Sequence, residues 1–349
     1  MEKKRLFITC VLMCLILFFA GLLFIPARSE AKNPIKLKLS IAYPAKHPLT
    51  VKAFEVWAKR LEECANGQVE VTLFPGGTLS KIKENYDATI AGVCDISMYV
   101  PAYAAGRFPL SNAMNLPMLF PSSTVASLAS WDLFEKFPEI RKEYSETRLL
   151  FFYFTPPYEI HTVKKPINVM EDLKGLQIRT AGPISAKLIT ALGASPVAIS
   201  MPEAYLGLQK GVLDGLVSPY GPMRGFKTAN VTYNHTVNAN LFSNAFCVVM
   251  NLKKWNSLPQ NIQKAIEEVS GAKASKLFGN VFDKITGPDI KYMKKKGDTF
   301  TTISPEEKKR WTAAIKGIRD KWVKDMTAKG MPAEKIISEM VRLSDKYSD

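Results

Sequence analysis

The sequence predicts an α/β protein of two similar lobes, each a mainly parallel sheet covered by helices. Three observations carry this expectation. Between residues 35 and 100 the apolar pattern alternates strand, helix, strand, helix, strand. The same alternation restarts near Leu149. Residues 86–95 and 205–214 also share Tyr, Gly, Val and Asp at equal offsets, 119 residues apart. Any helix–Gly–strand corner has something of this form. Here the preceding strand and cap recur as well, which favours two lobes of like topology.

Each element has a local reason. Residues 35–41 alternate apolar and polar, as a half-buried strand does. Phe54, Trp57, Ala58, Leu61 and Ala65 recur at helical spacing, and Asn66-Gly67 ends that helix. Residues 69–74 form a second strand, Pro75-Gly76-Gly77 turns it into a helix to about Ala91, and residues 95–100 form a third strand. Later, residues 149–154 read as an apolar strand broken by Pro156-Pro157. Residues 176–179 are a short strand, 183–192 a helix ended by Gly193, and 196–199 a strand. Ser200-Met201-Pro202-Glu203 has capping-box form and opens a helix to Lys210. Residues 246–251 are a buried strand, and helices follow from about 260 to 278, from Ser304, and over 332–348.

Composition narrows the class. A chain of 349 residues suggests about two domains. Its 47% apolar and 23% charged residues exclude a disordered chain, a collagen and a polytopic membrane protein. The net charge of +15 is dispersed, its densest run being Lys294-Lys295-Lys296. No zinc-finger, RNP or basic-zipper pattern accompanies it, so nucleic acid is not expected as a partner and attraction of small anions is.

The N-terminus points to export. Lys3, Lys4 and Arg5 precede an apolar run over residues 6–25, then Pro26 and the small residues Ser29 and Ala31 of an A-x-A-like site. We expect residues 1–31 to be a cleaved signal peptide; an uncleaved anchor is the alternative, since the run could span a bilayer. Cys10 and Cys14 lie inside the apolar run, which excludes a lipoprotein signal. Cleavage removes four basic residues (Lys3, Lys4, Arg5, Arg28) and two acidic ones (Glu2, Glu30), leaving +13. Cys64, Cys94 and Cys247 remain, an odd count that permits one bridge but favours three buried thiols.

Chemical signatures are few. No G-x-S-x-G, H-E-x-x-H, Walker loop or G-x-G-x-x-G is present, and His47, His161 and His235 lack metal-like spacing. Catalytic residues, cofactor and metal are therefore not expected. Gly76-Gly77-Thr78 could face an anion at a helix N-terminus, but a tight turn accounts for it. Two like lobes with nothing repeated beyond them suggest a receptor more than an enzyme. Arg179 ends a strand of an α/β lobe, where ligands bind in such sheets, and its fork matches a carboxylate. A surface salt bridge is the competing reading.

The stretch Glu171-Asp172-Leu173-Lys174-Gly175-Leu176-Gln177-Ile178-Arg179 resembles the EDLKGLKIR signature of TRAP-transporter periplasmic solute-binding proteins. Residues 191–197 resemble their ALGANPV and residues 205–215 their YTALQTGVVDG; residues 44–48, 74–79 and 116–120 match further stretches. The resemblance covers about residues 36–270. It implies a two-lobed periplasmic binding protein with a ligand cleft between lobes and a long bracing helix, for which residues 260–278 are the candidate. The first lobe would be residues 32–154 completed by about 245–285, and the second 155–244 completed by about 286–349. Such proteins deliver organic acids to TRAP membrane permease subunits, and a monomer is expected. The signature arginine, here Arg179, holds the substrate carboxylate, with Ser218 beside it; Thr180 is a further candidate ligand residue.

Two departures bear on the ligand. Where many relatives place an Asn that helps hold the carboxylate, this chain has Ser218. Where some carry a second Arg, it has Glu159, which would repel a second carboxylate. Both favour a monocarboxylate with an apolar or aromatic body. Tyr43, Tyr99, Tyr103, Tyr158, Tyr220 and Phe242 fall in loops or strand ends that could face the cleft, Tyr220 and Tyr99 foremost; His47 contacts the ligand or caps the first helix. Residues 154–157 and 243–246 are the candidate hinges. Two other functions compete: a receptor that docks onto a membrane sensor, and a secreted enzyme, for which Glu159 with His161 is the one local acid/base pair.

Overall fold

A computed structural model describes residues 33–104 and 106–348. The expected signal peptide, residues 1–31, lies outside them. Eleven strands among these residues form two sheets. The first has β1 (Ile35–Ser40), β2 (Val69–Phe74), β3 (Ile96–Tyr99), β4 (Thr147–Phe154) and β10 (Ala245–Asn251), in the order β2-β1-β3-β10-β4. The second has β5 (Glu159–Thr162), β6 (Gln177–Thr180), β7 (Ser195–Ala198), β8 (Gly215–Ser218), β9 (Asn234–Val237) and β11 (Thr299–Thr302), in the order β11-β9-β5-β8-β6-β7.

Both sheets are mixed. β10 runs antiparallel to β3 and β4, and β5 antiparallel to β8 and β9. The remaining pairings are parallel. The reversed strand in each sheet is the one that enters from the other lobe. Because a strand feeds each lobe from its neighbour, a wholly parallel sheet is not available to this topology.

Helices α1 (Glu55–Cys64), α2 (Asn85–Ile90) and α3 (Ser123–Lys136) cover the first sheet. α4 (Pro183–Ala191) and α5 (Met201–Gln209) pack on the second. The helix expected from Gly77 to Ala91 is shorter, because Gly76 and Gly77 have φ of 69° and 71° and cannot start one. The buried stripe of α1 is Trp57, Ala58, Leu61 and then Ala65, which leaves Cys64 exposed at its edge. Three buried thiols were expected; only Cys94 and Cys247 are buried, and all three cysteines are free.

Four longer helices follow the last strand of the first sheet: α6 (Gln260–Val269), α7 (Gly271–Lys296), α8 (Pro305–Thr327) and α9 (Ala333–Ser348); two further short helices, Pro138–Lys142 and Leu252–Ser257, precede them. The bracing helix expected over 260–278 is α7 instead. Ser270 is extended (φ −102°, ψ −154°), so the helix breaks there and restarts. α7 is 26 residues long and carries Pro288 inside, which removes one rung of its hydrogen-bond ladder. Its Phe278 and Phe282 join the core of the first lobe, and Ile290 and Met293 that of the second. Full burial of each phenylalanine stabilises by roughly 1.5–3 kcal/mol.

The two faces of β4 show how the core is divided. Phe151 and Tyr153 pack with Trp57 and Phe278, whereas Phe152 and Phe154 pack with Phe120 and Leu133, the alternation of an ordinary strand. The last helix does not complete the second lobe as expected for residues 286–349. Ile336, Met340 and Leu343 of α9 belong to the first-lobe core, and Ser344 Oγ donates to Leu119 O at 2.8 Å. Ile336, Met340 and Leu343 recur at i, i+4, i+7, and that stripe fits the apolar face of α3.

Candidate functional site

Arg179 sits in β6 with its side chain 1% exposed. Nε donates to Ile199 O at 2.9 Å, Nη1 to Val217 O at 3.5 Å and Nη2 to Tyr103 Oη at 3.3 Å. All three partners are neutral. Arg179 takes part in none of the ion pairs among the described residues. A buried cation without a counter-charge costs several kcal/mol. Such a group is stable only where the fold over-determines it, and it is poised to receive an anion.

The guanidinium borders an enclosed cavity of about 30 Å³ between the lobes. Tyr43 and Tyr103 line it from the first lobe, and Tyr158 and Ser218 line it beside Arg179. Phe226, Phe246 and Phe282 add apolar wall, and Thr155 and Asn244 add polar groups. Sequence reasoning missed Phe226, Phe246, Phe282, Thr155 and Asn244. Phe246 looked like strand core and Phe282 lay beyond the helix expected to end at 278, so only the tertiary fold brings them to the cleft.

The lobes touch around this cavity. Met201 N donates to Tyr103 Oη at 3.3 Å, and Lys83 pairs with Glu203 at 3.0 Å. A Cβ on Gly182 would lie 2.7 Å from Ala102 O, and one on Gly225 would lie 2.3 Å from His47 Cδ2. The cavity is far below the 300–1,000 Å³ of ligand pockets, so entry of a small organic molecule requires the lobes to part. The two crossing strands lie side by side beneath the cleft: Thr155 N donates to Asn244 O at 3.1 Å and Asn244 N to Thr155 Oγ1 at 2.9 Å.

Of the residues singled out from sequence, Arg179, Ser218, Tyr43 and Tyr103 meet at this cavity, with Tyr158. The others do not line it. Thr180 follows Arg179 on the strand and so points the other way; its buried hydroxyl has no partner. Tyr99 packs against Tyr86 and Phe108 in the first-lobe core. Tyr220 Oη donates to Thr236 O, and its ring stacks on Phe300. Phe242 lies behind Tyr158, stacked at 4.3 Å. His47 stacks on Tyr43 at 4.6 Å, its Nδ1 accepts from Leu49 N, and burial pushes its imidazole down to about 3.

Glu159 also faces away from the cavity. Its carboxyl accepts from Thr236 Oγ1 at 2.7 Å and from Ala239 N and Asn240 N at 3.1 Å. The residue expected to read the ligand instead ties β5 to the end of β9. Burial pushes its carboxyl up to about 7. The stability it contributes is then fully present below about pH 4.5 and is lost as pH rises through about 7. The melting-temperature advantage of wild type over Glu159→Gln is expected to be largest near pH 5 and to shrink toward pH 8. A pH-independent gap between the two melting curves would contradict this.

His161 belongs to a second buried string. Its Nε2 is 3.0 Å from Ser218 O, and its Nδ1 is 2.9 Å from His235 Nδ1. His235 Nε2 is 3.1 Å from Asp298 Oδ2, and Lys296 Nζ is 3.0 Å from Asp298 Oδ1. A carbonyl only accepts, so His161 Nε2 carries a proton. Every link then needs one donor, and the string holds one proton more than two neutral imidazoles and a carboxylate supply. Burial pushes both imidazoles down, His235 to about 4, and the Asp298 carboxyl up, while the Lys296 ammonium holds the carboxyl down in part. The string fixes the Ser218 peptide at the cavity wall. Neither Glu159 nor His161 lines the cavity, so the acid/base pair considered from sequence is not assembled there.

Comparison with known proteins gives the family and the fold. Residues 39–325 match the DctP model, described as bacterial extracellular solute-binding protein, family 7. The chain is 26% identical over 328 residues to the C4-dicarboxylate-binding periplasmic protein DctP of Vibrio cholerae, covering 90% of this chain and 95% of that one. A TRAP solute-binding protein of Rhodoferax ferrireducens T118, solved with copurified benzoate, superposes with a TM-score of 0.86 at 25% identity, over 90% of this chain and 98% of that one. A marine-metagenome TRAP solute-binding protein specific for aromatic acid ligands, solved with 3-hydroxybenzoate, superposes with a TM-score of 0.87 at 28% identity, over 91% and 100% of the two chains. Among the described residues no helix is long and apolar enough to cross a membrane.

Proposed function

Since the chain belongs to the DctP family of TRAP-transporter solute-binding proteins, we propose that it captures an aromatic monocarboxylate in the periplasm and hands it to the membrane subunits of a TRAP permease. One observation carries the ligand class: a buried guanidinium with no counter-charge, set in a wall of aromatic rings. Among the described residues no second cation lines the cavity, so a second carboxylate would be buried unpaired at a cost of several kcal/mol. Relatives solved with benzoate and 3-hydroxybenzoate support the same class. The family is one of binding proteins, and the proposed cycle needs no covalent step.

Residues 1–31 direct export in this reading. With the lobes apart, the positive field of the protein draws the anion into the cleft. Arg179 takes the carboxylate bidentately on the second lobe. Tyr43 and Tyr103 then close over the ring, the motion being absorbed where residues 154–157 and 243–246 cross side by side. Contacts made only in the closed form set the affinity.

The test is a thermal-shift panel on the mature protein, preceded by denaturing release and mass analysis of any copurified ligand. Saturating aromatic monocarboxylates are expected to raise the melting temperature by several degrees, since ligand at about 100 Kd adds about 2.7 kcal/mol. A shift with C4-dicarboxylates or uronates and none with aromatic acids would overturn the ligand class while leaving the family intact.

A further inference from the structure

Tyr43 lines the cavity, and its buried hydroxyl makes no well-formed hydrogen bond among the described residues, the neighbouring Tyr153 hydroxyl included. A buried unsatisfied hydroxyl is destabilising, because it has given up water without gaining a partner. The side chain cannot swing to relieve it. His47 stacks on one face of the ring at 4.6 Å, and Phe226, Phe246, Phe54 and Phe282 surround it at 6.0 to 6.4 Å. Three other hydroxyls of the wall are engaged. Tyr103 Oη accepts from Arg179 and Met201, Ser218 Oγ donates to Pro219 O at 2.8 Å, and Thr155 Oγ1 accepts from Asn244 N.

From this we infer that the ligand carries, besides its carboxylate, a neutral hydroxyl that completes the hydrogen bonding of Tyr43, so that the protein selects hydroxylated aromatic monocarboxylates. The inference rests on the aromatic-monocarboxylate reading above and adds a second anchor to it. The substituent is neutral because Arg179 is the one cation on the cavity wall among the described residues. A hydroxyl suits because it both donates and accepts, as Tyr43 Oη does. The anchors sit on different lobes, Arg179 on the second and Tyr43 on the first. A ligand with both groups therefore rewards closure, whereas one with the carboxylate alone leaves Tyr43 unsatisfied.

Isothermal titration of benzoate, 3-hydroxybenzoate and 4-hydroxybenzoate against wild type and Tyr43→Phe tests this. In wild type at least one hydroxylated acid is expected to bind five- to tenfold tighter than benzoate, and in Tyr43→Phe that preference is expected to fall within twofold. The ligand-free variant is expected to melt no lower than wild type, because it loses only an unsatisfied group. Equal affinities for all three acids in wild type, or a preference that survives in the variant, would overturn the inference and leave the aromatic reading standing. A marked loss of ligand-free stability would also overturn it, since the hydroxyl would then have an internal partner. Absence of binding by any of the three acids would remove the aromatic reading itself.

Discussion

Arg179→Ala is expected to weaken carboxylate binding by at least about a thousandfold. Removing one member of a buried, hydrogen-bonded charge pair costs about 2–5 kcal/mol or more, and each 1.4 kcal/mol is tenfold in affinity. This case lies at the upper end because the cavity offers the carboxylate no other cation. Arg179→Lys keeps the charge but loses the fork, and it cannot donate to Ile199 O and the ligand with the same geometry. A loss of about thirtyfold is expected there. Calorimetry on both variants measures these losses. Stability supplies the control. Arg179→Met fills much of the same volume and removes an unpaired buried charge, so the ligand-free protein should melt no lower than wild type. A site residue that binds at the expense of stability behaves this way. A structural arginine would show the opposite, a large drop in melting temperature with affinity retained, and that outcome would sink the assignment.

The position of Arg179 was legible because strand alternation and the carboxyl end of a sheet are both local facts. The same alternation argues against Thr180, the next residue on the strand. Glu159 was lost by one residue. Its neighbour Tyr158 lines the cavity, while Glu159 faces the donors of Thr236, Ala239 and Asn240. A one-residue shift flips every side chain of a strand, and nothing in a single sequence fixes which face of β5 meets the cleft. Phe246 and Phe282 were not legible at all. Each has the periodicity of an ordinary core residue, and each reaches the cavity only because β10 and α7 arrive from distant parts of the chain. The bracing helix was foreseen, but its bounds were set by the extended backbone at Ser270 and the positive φ of Gly271, a Ser-Gly break inside an otherwise helical pattern.

Closure is the second quantity the structure makes measurable, and Gly182→Ala should impair it without disturbing either lobe. Gly182 has φ 168° and ψ −171°, an extended conformation open to any residue. It precedes α4, where Ser185 Oγ accepts from Ala181 N and Gly182 N at 3.1 and 3.0 Å, and alanine keeps both backbone donors. What alanine cannot keep is the approach across the cleft. Its Cβ would lie 2.7 Å from Ala102 O and 2.8 Å from Ala102 Cβ. Neither is the far end of a flexible side chain, so the lobes must stop short of their present contact. The bonds from Tyr103 Oη to Arg179 and to Met201 N, already 3.3 Å, then lengthen beyond useful range. We expect ligand affinity to fall by roughly 10- to 100-fold, carried by faster dissociation, with association little changed because capture occurs in the open form. Gly182→Val should be worse. Solution scattering should show ligand-bound wild type contracting and the ligand-bound variant contracting less. The ligand-free melting temperature should move little, since the contact lies between lobes rather than within one. Unchanged dissociation in Gly182→Val would mean that the ligand-bound lobes do not meet at Ala102, and the closed arrangement described above would not be the binding-competent one.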